Sequence, residues 1–481
     1  MSAQNEANCH SPVMPFWQQL QRHGDSPALI DCDTARVWTY RMLALAVDAC
    51  AEQLRSDTKG LVLLYVESDI DALVCYLASL AAGCAVLLSG SRIDRPGAAA
   101  FIELYRPQLV LWRRGTPPAG ILDQYLVRPP VLGYQALARR ASDTAPLHPQ
   151  LALILPTSGS TGCVKLARLS GRSICVAAAQ VVTALGIESH GRTMAAPSFA
   201  HVYGLSVINS HLLAGASLVL TRHSAADRKF WMAMDRARVN SIAGVSMMYA
   251  YMRTLGIDAA SLPSLRTLTH SGQRIAADLL AWLISEFVSR DRQLYLMYGQ
   301  TEACGRISVL PPERLLAAAN SVGHPVPWGS IAVTDEQEIL YSGPNVMMGY
   351  ASCREELNRG DELNGRLHTG DLGCIDPNGM LHITGRKNRI CKVFGLRINL
   401  DEVEQHLADH LASDSEVAVL GEDDRLTICF VDGDERVRSQ VRRFSSEHRL
   451  PPQCVRTIKV AALPRTAGGK IAYSELRASL A

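Results

Sequence analysis

Short runs of four to six apolar residues recur through the first 350 positions: LVLLYV at 61–66, CAVLL at 84–88, LVLW at 109–112, LALIL at 151–155 and SLVL at 217–220. Helical patterns lie between them. Runs of this length without alternation predict strands buried on both faces, and helical spacers predict parallel pairing. The expected fold class is therefore α/β, a large N-terminal region with more than one sheet. The uncharged stretch Ala72–Ser91 approaches the length of a membrane span. Leu73, Tyr76, Leu77 and Leu80 follow helical spacing, and Gly83 divides them from CAVLL. The stretch reads as a helix followed by a buried strand. A second uncharged stretch, between Arg192 and Arg222, is broken by Pro197, His201, Asn209 and His211.

From about Arg366 the pattern changes. GRLHTGDLGCIDPNGMLHITGR predicts two strands around the turn Asp376-Pro377-Asn378-Gly379. Asn399 can cap a helix with Glu402 three residues on, and Leu400, Val403, Leu407 and Leu411 share one face. EVAVLGEDDRLTICFV predicts a hairpin with a charged turn, and VRTIKVA a last strand. The boundary is expected near Asn388, with 1–387 as the large domain and 388–481 as a small α+β domain.

Composition narrows the classes. With 481 residues, 48% apolar and 20% charged, the chain is long enough for two to four ordinary globular domains. A net charge of +2 excludes nucleic-acid binding through charge alone. Arg436, Arg438, Arg442 and Arg443 stand at helical spacing and predict a solvated face. The thirteen cysteines form no CxxC pair, so neither a zinc site nor a disulfide framework is indicated. Free thiols and an N-terminus without a signal-peptide layout fit a cytoplasmic protein.

Five segments carry candidate chemistry. LALILPTSGSTGCVK runs from a strand into Thr157, Ser158, Gly159, Ser160, Thr161 and Gly162 and ends at Lys165. Its N–H groups, hydroxyls and lysine could cradle a phosphate, although the P-loop spacing fails and a plain Gly/Ser turn is the alternative. LYLMYGQTEACG delivers Tyr298, Gly299, Thr301 and Glu302, able to stack on a base, donate to a phosphate and hold magnesium. In HTGDLG, Asp371 is either a ribose acceptor or an Asx-turn residue. ITGRKNRICKVFGLRINLDEVE spans the boundary. In LPRTAGGKI, two glycines precede Lys470, which is either an exposed lysine or one that reaches a distant site.

In this order the five segments resemble the adenylate-forming superfamily of acyl-CoA synthetases, peptide-synthetase adenylation domains and luciferases. The resemblance spans residue 38 to Lys470. It implies ATP-dependent conversion of a carboxylic acid to an acyl-adenylate, then displacement of AMP by a thiol. By the resemblance, Thr157–Lys165 is the triphosphate loop, Tyr298 lies against adenine, Thr301 contacts the α-phosphate and Glu302 holds Mg2+. Asp371 and Arg386 match ribose-binding positions, Lys470 the catalytic lysine of the first step, and Gly395 the passage for a pantetheine arm. The small domain is expected to rotate between steps. Asn388 stands where the hinge is usually Asp or Lys, and Val164 where proline is common.

APSFAHVYGL resembles the acyl-pocket segment of acyl-CoA synthetases, with His201 as the gate. Gly244, Ser271, Gly272 and Gln273 are expected to line the pocket. Ala200 stands where amino-acid-activating relatives place an aspartate, which disfavours an α-ammonium in the pocket, although GLRINLDEVE is closer to the peptide-synthetase form. The expected acceptor is coenzyme A or the phosphopantetheine of an acyl carrier protein, a diffusing partner because the chain ends eleven residues after Lys470. The other readings are an amino-acid adenylation enzyme loading a carrier protein and a nucleotide-binding module without catalysis. No nucleic-acid partner and no membrane span are expected.

Overall fold

All five apolar runs form strands, and they divide between two sheets. The computed structural model describes residues 14–90, 93–94, 97–140, 145–157, 165–393, 396–411, 416–422, 425–447, 450, 454–466 and 469–480. Leu61–Tyr65, Ala85–Ser89, Leu109–Trp112 and Leu151–Pro156 make the parallel centre of an eight-stranded sheet. Ser217–Leu220 belongs to a nine-stranded sheet, beside Pro27–Asp31 and Arg192–Met194. Ser241–Gly244, Thr267–His270 and Gln293–Tyr298 continue its parallel centre. The edges of both sheets are antiparallel.

The strand runs are apolar throughout because each face meets a different core. Val62 and Leu64 join the cluster between the two sheets, whereas Leu61, Leu63 and Tyr65 face the other way toward Ile102 and Tyr105. Helices Tyr40–Leu54, Ile70–Ala81, Gly171–Leu185 and Val202–Ala214 contribute buried side chains to the shared inner cluster. Each apolar side chain so buried contributes about 1.5–3 kcal/mol. The outer face of the nine-stranded sheet packs on helices Arg228–Arg236, Ser246–Thr254 and Ala277–Glu286. The Ala72–Ser91 stretch is the buried helix Ile70–Ala81 and strand Ala85–Ser89. No helix among the described residues is long and apolar enough to cross a membrane.

A four-stranded antiparallel sheet follows, from Ser330–Val333, Glu338–Ser342, Arg366–Ile375 and Leu381–Arg386. Its last hairpin turns at Asp376–Gly379, where Asp376 Oδ1 accepts from Asn378 N and Met380 N at 2.8 and 2.9 Å. After the turn Lys387–Arg389 come the hairpin Ile390–Val393/Leu396–Asn399 and a three-stranded sheet of Val417–Glu422, Arg425–Phe430 and Val455–Lys459. Asn399 caps helix Leu400–His410 by accepting from Asp401 N. Leu400, Val403 and Leu407 then pack on Val419, Ile428 and Phe430 in a core made entirely of residues after 390. The four arginines of helix Asp434–Glu447 are exposed, and none of the eleven described cysteines is in a disulfide.

Candidate active site

The parallel strands of the nine-stranded sheet end on one side in Gly244, His270 and Tyr298. Ligands of open α/β sheets bind beyond such carboxyl ends. Tyr298 is buried, and its hydroxyl donates to Asp371 Oδ2 at 2.6 Å. Burial and the Asp371 charge push the Tyr298 pKa well above that of a free phenol, so it stays a donor. Arg386 Nε lies 2.9 Å from Asp371 Oδ1, and the two residues are partners across adjacent strands. Each carboxylate oxygen of Asp371 thus has one bond and keeps capacity for another.

Beyond Tyr298 the chain makes the short turn Thr301–Ala303. Glu302 is buried there, and its Oε1 accepts the Tyr350 hydroxyl at 2.7 Å. The Lys165 ammonium lies 5.6 Å from the centroid of the same tyrosine ring. Thr157 closes the base of the preceding loop, since its N–H and its hydroxyl each donate to Lys165 O at 3.0 Å. Ser158, Gly159, Ser160, Thr161 and Gly162 fall outside the described residues, as do Val164 and Gly395.

Lys470 arrives from the far end of the sequence. Its turn is fixed by Thr466 N donating to Lys470 O at 2.7 Å and by an ion pair of Arg465 with Glu416. The ammonium is partly buried and within electrostatic reach of Arg386, Asp371 and Glu302. Burial, then Arg386, lower its pKa, and the two carboxylates oppose that shift. Lys470 also acts on His201, whose pKa falls through desolvation and that positive charge. His201 stands at the N-terminus of helix Val202–Ala214, and its side chain makes no capping bond there. Lys470 and Arg386 therefore gather around two carboxylates, with Lys165 beside the tyrosine that holds Glu302, an arrangement suited to a polyanion with a metal ion.

The expected pocket residues are also contiguous. The Tyr203 hydroxyl lies 3.3 Å from Gly244 O, and Ser271 N donates to that same carbonyl at 3.3 Å. A Cβ on Gly244 would collide with Met248 and Tyr249, so close packing requires glycine there. Gly272 has φ +103° and Gln273 is exposed.

A family model described as AMP-binding enzyme matches residues 16–351. The chain belongs to the AMP-binding enzyme family. It is 30% identical over 354 residues to 3-[(3aS,4S,7aS)-7a-methyl-1,5-dioxo-octahydro-1H-inden-4-yl]propanoyl:CoA ligase of Mycobacterium tuberculosis, covering 71% of this chain and 68% of that protein. It is 26% identical over 336 residues to 2-succinylbenzoate–CoA ligase of Listeria monocytogenes, covering 68% and 69%. Among solved structures, o-succinylbenzoate coenzyme A synthetase of Bacillus subtilis in complex with ATP and magnesium ion shares the fold. Its TM-score is 0.72 at 21% identity, covering 96% of this chain and 99% of that one.

In this AMP-binding enzyme, sequence reasoning missed three positioning residues. Asn345 is buried and donates to Ala303 O at 2.8 Å and Arg306 O at 2.9 Å, fixing the loop that holds Glu302. Tyr203 ties the helix after His201 to Gly244. Tyr350 orients Glu302. Tyr350→Phe is expected to lower adenylation about tenfold, the worth of one hydrogen bond to a charged group. Initial rates across a Mg2+ titration check this, and an unchanged rate at every Mg2+ concentration counts against it.

Proposed function

We propose that this enzyme couples a carboxylic acid to a phosphopantetheine thiol in two steps. In the first, a carboxylate oxygen bonds to the α-phosphorus of ATP as the bond to the β-phosphate oxygen breaks and pyrophosphate leaves. In the second, the thiol sulfur bonds to the acyl carbon, its proton passes to solvent, and AMP leaves. The observation that carries this reading is the convergence of Lys470 with Glu302, Asp371, Arg386 and His201. Cations stabilise charge developing on the transferring phosphoryl group. Lys470 bridges the substrate carboxylate and the α-phosphate, Thr301 donates to the same phosphate, and Lys165 meets the outer phosphates. Tyr298 and Asp371 hold the nucleoside, with Arg386 fixing Asp371.

The donor set fits magnesium. Glu302 is a buried carboxylate with one oxygen bonded to Tyr350, so the other is available to a cation that takes its remaining ligands from phosphates and water. When bound, Mg2+ supplies charge neutralisation between the phosphates.

The same reading makes 1–387 and 388–481 separate bodies with Asn388 as the hinge. Its neighbours are held on opposite sides. Lys387 Nζ lies 3.0 Å from buried Glu338, within the four-stranded sheet. Arg389 pairs with Asp401 at 2.7 Å and Glu404 at 2.5 Å and stacks on Tyr473 at 3.9 Å. Coenzyme A is the proposed acceptor, supported by the CoA-ligase relatives, and the cytoplasm the proposed compartment, supported by the free thiols.

ATP–pyrophosphate exchange across a panel of carboxylic and amino acids tests the first step. Mass spectrometry with coenzyme A against a holo carrier protein tests the second. Exchange with non-amino carboxylic acids and an acyl-CoA product are expected. Exchange with α-amino acids alone would shift the reading to a carrier-loading enzyme, and no acid-dependent pyrophosphate release would overturn it.

A further inference from the structure

A cavity of about 200 Å³ lies between helices Gly171–Leu185 and Val202–Ala214 and the middle strands of the nine-stranded sheet. Arg306 forms part of its wall and is 1% exposed. Among the described residues, no carboxylate pairs with it. Its Nη1 donates to Gly305 O at 2.7 Å, its Nε has no partner, and its guanidinium sits 4.4 Å from the Tyr203 ring centroid. Burial lowers the Arg306 pKa to about 10, which still leaves the group cationic at neutral pH.

A buried cation is ordinarily paired, because an aromatic face and one carbonyl do not replace its hydration. The one carboxylate of the cavity wall, Glu188, stands at the exposed rim and lies 3.1 Å from His190 Nε2. Of the other titratable groups in the wall, His211 is buried and neutral, its pKa lowered to about 4 with Nδ1 turned to Val207 O at 2.8 Å. Arg266 adds a further positive charge. The cavity therefore offers an unanswered cation that is itself buried, and a planar guanidinium matches a carboxylate in geometry as well as charge.

Tyr203 stands between Arg306 in the cavity wall and the candidate active site. Tyr203, whose ring covers Arg306, reaches Gly244 O and Thr269 O with its hydroxyl at 3.3 and 3.2 Å. One aromatic ring thus separates Arg306 from the strand ends where the acyl group is placed. We propose that the acid activated by this enzyme carries a second carboxylate at its far end, and that Arg306 receives it in the cavity behind Tyr203. This rests on the adenylation reading above.

Succinate, adipate and suberate, each compared with the monocarboxylate of equal length (butyrate, hexanoate, octanoate), test the inference in ATP–pyrophosphate exchange on the full chain. At least one dicarboxylate is expected to exceed its monocarboxylate in kcat/KM by about tenfold or more. Arg306→Met is expected to lower that ratio on the order of a hundredfold, mostly through KM for the dicarboxylate, and Arg306→Lys about tenfold. If Arg306→Met does not fold, Arg306→Lys decides the question. A preference for monocarboxylates at every length, or a ratio the folded variant leaves unchanged, overturns the inference. If no acid supports exchange, the ligase reading fails, and dicarboxylate binding by calorimetry decides the inference separately. Binding lost in the variant supports it, and no binding to the unsubstituted chain overturns it.

Discussion

Lys470→Ala is expected to lower acid-dependent ATP–pyrophosphate exchange by about 10²–10³-fold, while transfer from a supplied acyl-adenylate to the thiol stays within a few-fold. The asymmetry follows from where the charge develops. In the first step, negative charge shifts onto the oxygens around the α-phosphorus, and Lys470, within electrostatic reach of Glu302, Asp371 and Arg386, is the cation proposed to meet it. In the second, the acyl carbon is attacked and AMP departs already formed. The pH dependence tests the same placement. Burial and Arg386 lower the Lys470 pKa, and the proposed role requires the residue as a cation. Adenylation should therefore be lost as pH rises through that lowered pKa, earlier than for an ordinary lysine. Lys470→Arg should move the alkaline limb upward at reduced rate, because guanidinium stays charged across the range. Normal exchange in Lys470→Ala, or an alkaline limb identical in Lys470→Arg, would remove the lysine from the first step.

What was legible in the sequence was mostly local. The run LVLLYV could be read as a doubly buried strand because residues 61–65 alternate between two apolar cores, so neither face tolerates a polar residue. The hairpin at Asp376 and the cap at Asn399 were legible because a side chain satisfies backbone groups two to four residues away. Glu302, Asp371 and Lys470 are singled out by motif order rather than by any local pattern. Tyr350 had no such signal. It reaches Glu302 because Gly349–Ala351 pairs with Leu166–Ser170 at the edge of the eight-stranded sheet, a register that no periodicity near residue 350 encodes. Arg306 was equally hidden, since a lone arginine beyond a motif reads as a surface residue until its burial is known. The antiparallel strands Ser330–Val333 and Glu338–Ser342 also escaped, because a single half-buried hairpin carries too few apolar positions to stand out.

Gly299→Ala is expected to reduce adenylation about a hundredfold and to cost about 1–3 kcal/mol of stability. Gly299 does not have positive φ among the described glycines, so the requirement is contact rather than backbone strain. A Cβ there would fall well inside van der Waals contact distance of Gly305 O and lie 2.8 Å from Arg306 Cα. The opposing strand of the loop has no room to retreat. Asn345 holds Ala303 O and Arg306 O, and Tyr341 in turn donates to Asn345 Oδ1 at 2.7 Å. Ile307 N is bonded to Tyr298 O at 2.8 Å, which closes the neck of the same loop. The displacement must therefore fall on Gln300, Thr301 and Glu302, the segment proposed to face the phosphates. Misplacing reacting groups by about 1 Å costs on the order of a hundredfold in rate. Gly60→Ala is the control, because its Cβ would meet Cys84 Sγ at an ordinary 3.7 Å. Exchange kinetics and denaturant unfolding on both variants separate the effects. A Gly299→Ala enzyme with unaltered rate would mean that the loop yields at Gly305 instead, and that Asn345 does not fix it.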